Sequence, residues 1–189
     1  MHVYVYVSVY VASLMDSTKN KDAEFAYGSG QINPTKAINP GLVYEALAED
    51  YIKMLCSLGY DTKKLRLISG DNSNCPKDSK IASPKDLNYP SMAALVSPLK
   101  PYDVTFHRTL TNVGLANSTH KANIFFTNPF RMKIKVDPQM LSFNSLYEKK
   151  SFVVSVAGAD LPVKSMVSAS LVWSYDSFSV RSPIIVHTN

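Results

Sequence analysis

The second half of the chain alternates apolar and polar residues with a period of two, and no other feature constrains the fold as much. In "RMKIKVD", Met132, Ile134 and Val136 fall on one side of an extended strand and Arg131, Lys133, Lys135 and Asp137 on the other. Phe152, Val154 and Val156 repeat the pattern in "KSFVVSVAG", as do Val167, Ala169, Leu171 and Trp173 in "VSASLVWSY". Further strand candidates are "VTFHRTL", "KANIFFT", "QMLSF" and "SPIIVH". About seven short strands within roughly ninety residues is the count of an immunoglobulin-like β-sandwich. Trp173 then belongs to the core. The Arg131, Lys133 and Lys135 stripe reads as a solvated strand face, since no exposed aromatic residues are interleaved with it to stack bases.

The first half is built differently, and "SPLKP" separates the two, so a domain boundary is placed at Pro98 to Pro101. In "NPTKAI", Asn33 suits an N-cap and Pro34 the first helical position. A longer helix is predicted within "EALAEDYIKMLCSLGY". Leu47, Tyr51, Leu55 and Leu58 share a face, Glu49 and Asp50 sit early, and Gly59 can end it. That face must be buried against something. From Tyr60 to Lys85 the chain is polar and broken by Gly70, "DNSN" and Pro76, which predicts a long surface loop.

The chain has 189 residues, 46% of them apolar, enough for a packed core. Its net charge of +5 comes from bases spread along the chain with no nucleic-acid motif around them, so a mildly basic solvated surface is expected, without a nucleic-acid partner. No apolar run approaches the ~20 residues of a membrane helix, so no membrane partner is expected. The opening "MHVYVYVSVYVASLMDS" has no Lys or Arg before its apolar stretch and no clear A-x-A site, and its Val/Tyr alternation reads as a strand better than as a signal peptide. The two cysteines, Cys56 and Cys75, belong to no C-x-x-C and have no nearby histidine, which disfavours a metal or redox role. They would pair in an oxidising compartment and remain thiols in a reducing one.

Ser91, within "LNYPSMAAL", raises the question of catalysis. Its neighbours supply no strand-to-helix elbow, and the chain has neither G-x-S-x-G nor H-E-x-x-H. Asp103, His107 and a nearby serine could in principle meet in space, but nothing in the sequence favours that triad, and His107 alternates onto a strand face. Asn117, in "NST", is an N-glycosylation acceptor on a predicted loop if the chain enters the secretory path.

Five blocks carry a family resemblance: "YGSGQINPTKAINPGLVYE", "DYIKMLCSLGY", "DLNYPSMAAL", "RTLTNVG" and "VSASLVWSYDSFSVRSPIIV". In this order they resemble the C-terminal part of plant subtilisin-like serine proteases, the cucumisin-like subtilases, from about Asp22 to Val186. The resemblance implies a mainly β chain: a C-terminal fibronectin III-like sandwich over 98–189, preceded over 22–97 by a partly helical remnant of a subtilisin α/β catalytic domain, with an atypical N-terminus over 1–21. It implies a secreted, extracellular parent in the apoplast or cell wall, where Cys56 could pair with Cys75.

Family catalysis needs Asp, His and Ser in D-[TS]-G, H-G-T and G-T-S-M, with an oxyanion-binding Asn. None of the seven glycines is followed by Thr-Ser, none of the four histidines by Gly, and no Asp begins D-[TS]-G. The expectation is therefore no catalytic, cofactor-binding or metal-ligating residue, and no cofactor. Ser91 takes a structural position in the crossing between domains. The function expected is that of a non-catalytic fragment of a serine endopeptidase, partnered within the full-length family by the subtilase catalytic domain. The alternative is a free-standing module that binds a protease or a cell-wall protein.

Overall fold

The computed structural model describes Ala12, Met15, Asn20 and residues 22–76, 83–127 and 132–189. The Val/Tyr alternation of residues 3–11, read as a strand, and Arg131 of the basic stripe lie outside the described residues.

All seven strands read from the alternation form: β3 (Tyr102–Asn112), β4 (Ser118–Phe126), β5 (Lys133–Asp137), β6 (Met140–Phe143), β7 (Lys149–Gly158), β8 (Met166–Tyr175) and β9 (Phe178–His187). Two short strands from the first half join them, β1 (Leu42–Val43) and β2 (Met92–Leu95). One sheet runs β1-β3-β7-β5 and the other β2-β9-β8-β4-β6. Every pairing is antiparallel except β2 with β9. Sheet pairing thus takes in residues N-terminal to Pro98.

The two inner faces meet over a core that includes Phe106, Leu110, Phe143, Phe152, Leu171 and Trp173. Trp173 is fully buried and meets Phe152 edge-on, ring centres 5.1 Å apart. In β5, Val136 is buried and Ile134 packs against the core while Lys133, Lys135 and Asp137 are exposed, as the alternation requires. β8 departs from simple alternation, because Ser168 and Ser170 are buried as well as Ala169 and Leu171. Its outer face is occupied: Ser170 Oγ accepts from Arg181 Nη1 at 3.0 Å, and Ser168 shares a 3.0 Å hydrogen bond with Thr127.

The helical segment lies on this frame. The α1 helix (Ala23–Tyr27) reaches β9, where Phe25 meets His187 edge-on at 5.1 Å. The α2 turn (Pro34–Ala37) starts as expected, with Asn33 Oδ1 accepting from the Lys36 amide and Pro34 first.

The α3 helix spans Ala48–Ser57, so Leu47 and Leu58 flank it, and both are half exposed. Asp50 reaches back to the Leu47 amide at 2.9 Å, and Gly59 ends the helix at φ +88°. The expected face is only partly covered: Tyr51 and Leu55 are half-buried, and Cys56 is the buried residue of the helix.

The loop expected from Tyr60 to Lys85 instead contains α4 (Thr62–Ser69). Local chemistry explains it. Asp61 caps the Lys64 amide at 2.8 Å, Gly70 takes the left-handed conformation at the other end, and Leu65 is fully buried. A disulfide between Cys56 and Cys75, Cα atoms 5.6 Å apart, ties the end of α3 to the chain beyond α4. No described helix is long and apolar enough to cross a membrane.

Candidate functional site

A dense set of polar contacts forms a seam where the helical segment meets β3. A strand edge presents backbone groups that need partners, and β1 covers only the end of β3, pairing Leu42 with Asn112 and Val43 with Thr111. Side chains of the crossing segment cover the next stretch. Asn88 accepts from the Thr109 amide at 2.8 Å and returns its own amide to the Thr109 carbonyl at 2.9 Å, imitating a strand residue. The same Asn88 nitrogen donates to the Glu45 carbonyl at 2.9 Å. Two residues on, Asp86 accepts from the His107 amide at 3.0 Å.

Arg108 fastens the segment from the other side. In β3 it shares the core-facing parity of Phe106 and Leu110, and it is buried. Its Nε donates to the Tyr89 carbonyl at 2.8 Å, Nη1 to the Lys85 and His107 carbonyls at 2.9 and 2.8 Å, and Nη2 to the Ser91 carbonyl at 3.3 Å. Burial pulls the guanidinium below its ordinary pKa, while the neighbouring Tyr44 and Asp86 oppose that. Ser91, expected from the sequence to hold a structural position in the crossing, is half-buried and contributes its backbone carbonyl to this cluster.

Further ties complete the seam. Thr111 Oγ1 donates to Glu45 at 2.9 Å, and the same carboxylate pairs with Lys149 at 2.7 Å. Tyr44 is buried against Phe152, and its hydroxyl shares a 2.8 Å hydrogen bond with Ser182. Burial raises the Tyr44 phenol to about 12. Asn112 donates to the carbonyls of Leu115 and Ser145 at 2.9 and 3.1 Å, which holds two turns together. Gly41 and Gly114 pass so closely that a Cβ on Gly114 would stand 2.9 Å from the Gly41 Cα.

The triad weighed from sequence does not assemble. His107 Nδ1 lies 3.2 Å from Asp86 rather than bonding Asp103, and the imidazole is largely exposed. The nearby Ser151 hydroxyl bonds Thr109 Oγ1 at 2.9 Å. Asn117 sits exposed at the end of the β3–β4 connection. No group of three or more His, Cys, Asp or Glu side chains that could hold a metal occurs among the described residues.

The sequence reading assigned no role to Arg108, Asn88 or Glu45. Arg108 carried a signal, as a charged residue in phase with the inward Phe106 and Leu110 of β3. Asn88 and Glu45 carried none, because their partners lie far along the chain.

A family model described as a fibronectin type-III domain matches residues 86–186. The chain belongs to that family. Its fibronectin type-III domain begins, on this match, inside the crossing segment that Arg108 holds. The chain is also similar to the C-terminal region of subtilisin-like proteases of Arabidopsis thaliana. It is 52% identical to subtilisin-like protease SBT4.3 over 94% of this chain and 24% of that protein. To subtilisin-like protease SBT4.6 it is 53% identical, over 90% of this chain and 23% of that protein. The chain therefore spans about a quarter of the length of these relatives. Among solved structures, the Vibrio cholerae VesB protease aligns over 52% of this chain and 30% of that one, with 21% identity and a TM-score of 0.36.

Proposed function

We propose that this chain is the non-catalytic C-terminal portion of an extracellular subtilisin-like serine endopeptidase, in which the fibronectin type-III sandwich supports the catalytic domain. The seam carries this reading. Gly41, Tyr44 and Glu45 come from the first quoted block, Asp86, Asn88 and Ser91 from the third, Arg108 to Gly114 from the fourth and Ser182 from the fifth. Four blocks shared with the protease resemblance thus converge on one joint. A recruiting module on a tether would need no such joint. A support must transmit the position of the sandwich to the segment that precedes it, and buried hydrogen bonds do so rigidly.

The absence of D-[TS]-G, H-G-T and G-T-S-M from the sequence supports the non-catalytic part of the reading. The Cys56–Cys75 disulfide fits an oxidising, extracellular location. A second reading, a free-standing module that binds a protease or cell-wall protein, draws on this chain building one continuous core from the sandwich and from Leu42, Tyr44 and Met92 of the segment before it.

Isolation of the native polypeptide with an antibody against residues 132–157 separates the two. A product much larger than 20.9 kDa that yields a G-T-S-M peptide is expected, and a product of this size would favour the free-standing module. A fluorophosphonate probe should leave the purified chain unlabelled. Labelling that disappears in Ser91→Ala would overturn the non-catalytic reading.

A further inference from the structure

We propose that Asn117 is an N-glycosylation site, carrying an oligosaccharide on its side-chain nitrogen. The inference depends on the chain entering the secretory path, which is one part of the functional reading above.

Asn117-Ser118-Thr119 is the only Asn-x-Ser/Thr in the chain whose middle residue is not proline. Its acceptor lies at the end of the turn between β3 and β4, in an exposed run formed by Leu115, Ala116 and Asn117. Among the described residues the Asn117 side-chain amide has no hydrogen-bond partner, so derivatising Nδ2 breaks no bond of the fold. Thr119 is exposed as well, its hydroxyl sharing a 3.0 Å hydrogen bond with Ser142 on the edge strand β6. Ser118 is buried whereas Asn117 is exposed, so a sugar attached at 117 meets solvent rather than the core.

The covalent step takes a lipid pyrophosphate-linked oligosaccharide as donor. Asn117 Nδ2 supplies the electron pair for a new bond to the anomeric carbon. The bond from that carbon to the pyrophosphate oxygen breaks, its electrons leave with the lipid pyrophosphate, and one amide proton passes to a base on the transferring enzyme. The threonine hydroxyl at the third position is what such an enzyme requires of its acceptor.

Each residue also has an explanation that involves no sugar. Asn117 has φ +54°, a left-handed conformation that asparagine tolerates better than most residues, and Thr119 and Ser142 form a cross-strand pair. The test must therefore separate the acceptor chemistry from the turn. The full chain is placed behind a cleavable secretion leader, expressed in plant cells, recovered from the secretory membranes and medium, and examined by intact mass and by its Asn117 peptide. The leader imposes secretory entry, so an unmodified site would sink the glycan without touching the proposed function.

The expected result is a glycan on the 117 peptide that an N-glycosidase removes, leaving aspartate at that position. Thr119→Ser should keep it. Asn117→Gly, which suits the positive φ, and Thr119→Val should both lose it, with circular dichroism spectra like that of the unsubstituted chain. Recovery of only unmodified Asn117, or a glycan mass that persists in Asn117→Gly, would overturn the proposal.

Discussion

At the scale of single residues, His120 couples the fold to pH. It is 2% exposed, wedged between Phe143 and Tyr175 at ring distances of 5.8 and 5.4 Å, and its Nδ1 has no hydrogen-bond partner. Burial pushes its pKa from 6.5 down to about 4. The folded chain therefore holds the ring neutral where the unfolded chain takes up a proton. Stability from this group is complete above pH 6.5 and is lost as pH falls toward 4, by about 3 kcal/mol at most. Urea midpoints at pH 7.5 and 4.5 should separate widely for the native chain and much less for His120→Leu. An equal separation in both would show that other groups drive the acid loss. Arg108 tests the seam in the same way. Arg108→Met strands the carbonyls of Lys85, Tyr89 and Ser91 and should cost about 2–4 kcal/mol in denaturant. Arg108→Lys should recover little, because an ammonium cannot reach in several directions as a planar guanidinium does. Parity along β3 made Arg108 legible as an inward charge. The partner of Tyr44, Ser182, lies 138 residues away, and no local pattern could have indicated it.

At the scale of elements, the alternating strands were legible because each buries one face and so writes its period into the sequence. β1 and β2, at two and four residues, are too short to carry a period, and they form because β3 and β9 offer them partners. α4 was missed for a different reason. Its residues are mostly polar and basic, and its stability comes from the Asp61 cap, the Gly70 terminator, Leu65 and the nearby disulfide rather than from a broad apolar face. Reducing Cys56–Cys75, a separation of 19 residues, should cost about 3 kcal/mol on the chain-entropy account. The loss should concentrate in α3 and α4. Hydrogen exchange after reduction is expected to quicken over 48–69 and to leave β3 and β7 protected, and equal quickening in β7 would mean that the disulfide supports the sandwich too.

At the scale of the whole molecule, the sequence shows its change of character at Pro98, while the backbone pairing extends earlier. A chain begun at Pro98 lacks β1, β2, Asp86 and Asn88, and so opens one edge of each sheet. It should melt lower and associate more readily than a chain begun at Pro40, which keeps both edges covered. Equal melting temperatures and monomeric behaviour for the two would show the seam to be dispensable. The α3 and α4 segment should exchange faster than the sheets in the intact chain as well, since Leu47, Leu58, Leu67 and Ile68 all remain exposed. The surrogate strand made by the Asn88 carboxamide also bears on how such proteins can be recombined. A sandwich moved to another protein at its apparent sequence border would arrive with its margin unstitched, whereas a transplant that starts at Pro40 carries its own selvage. The interchangeable unit is about sixty residues longer than the composition of the chain suggests.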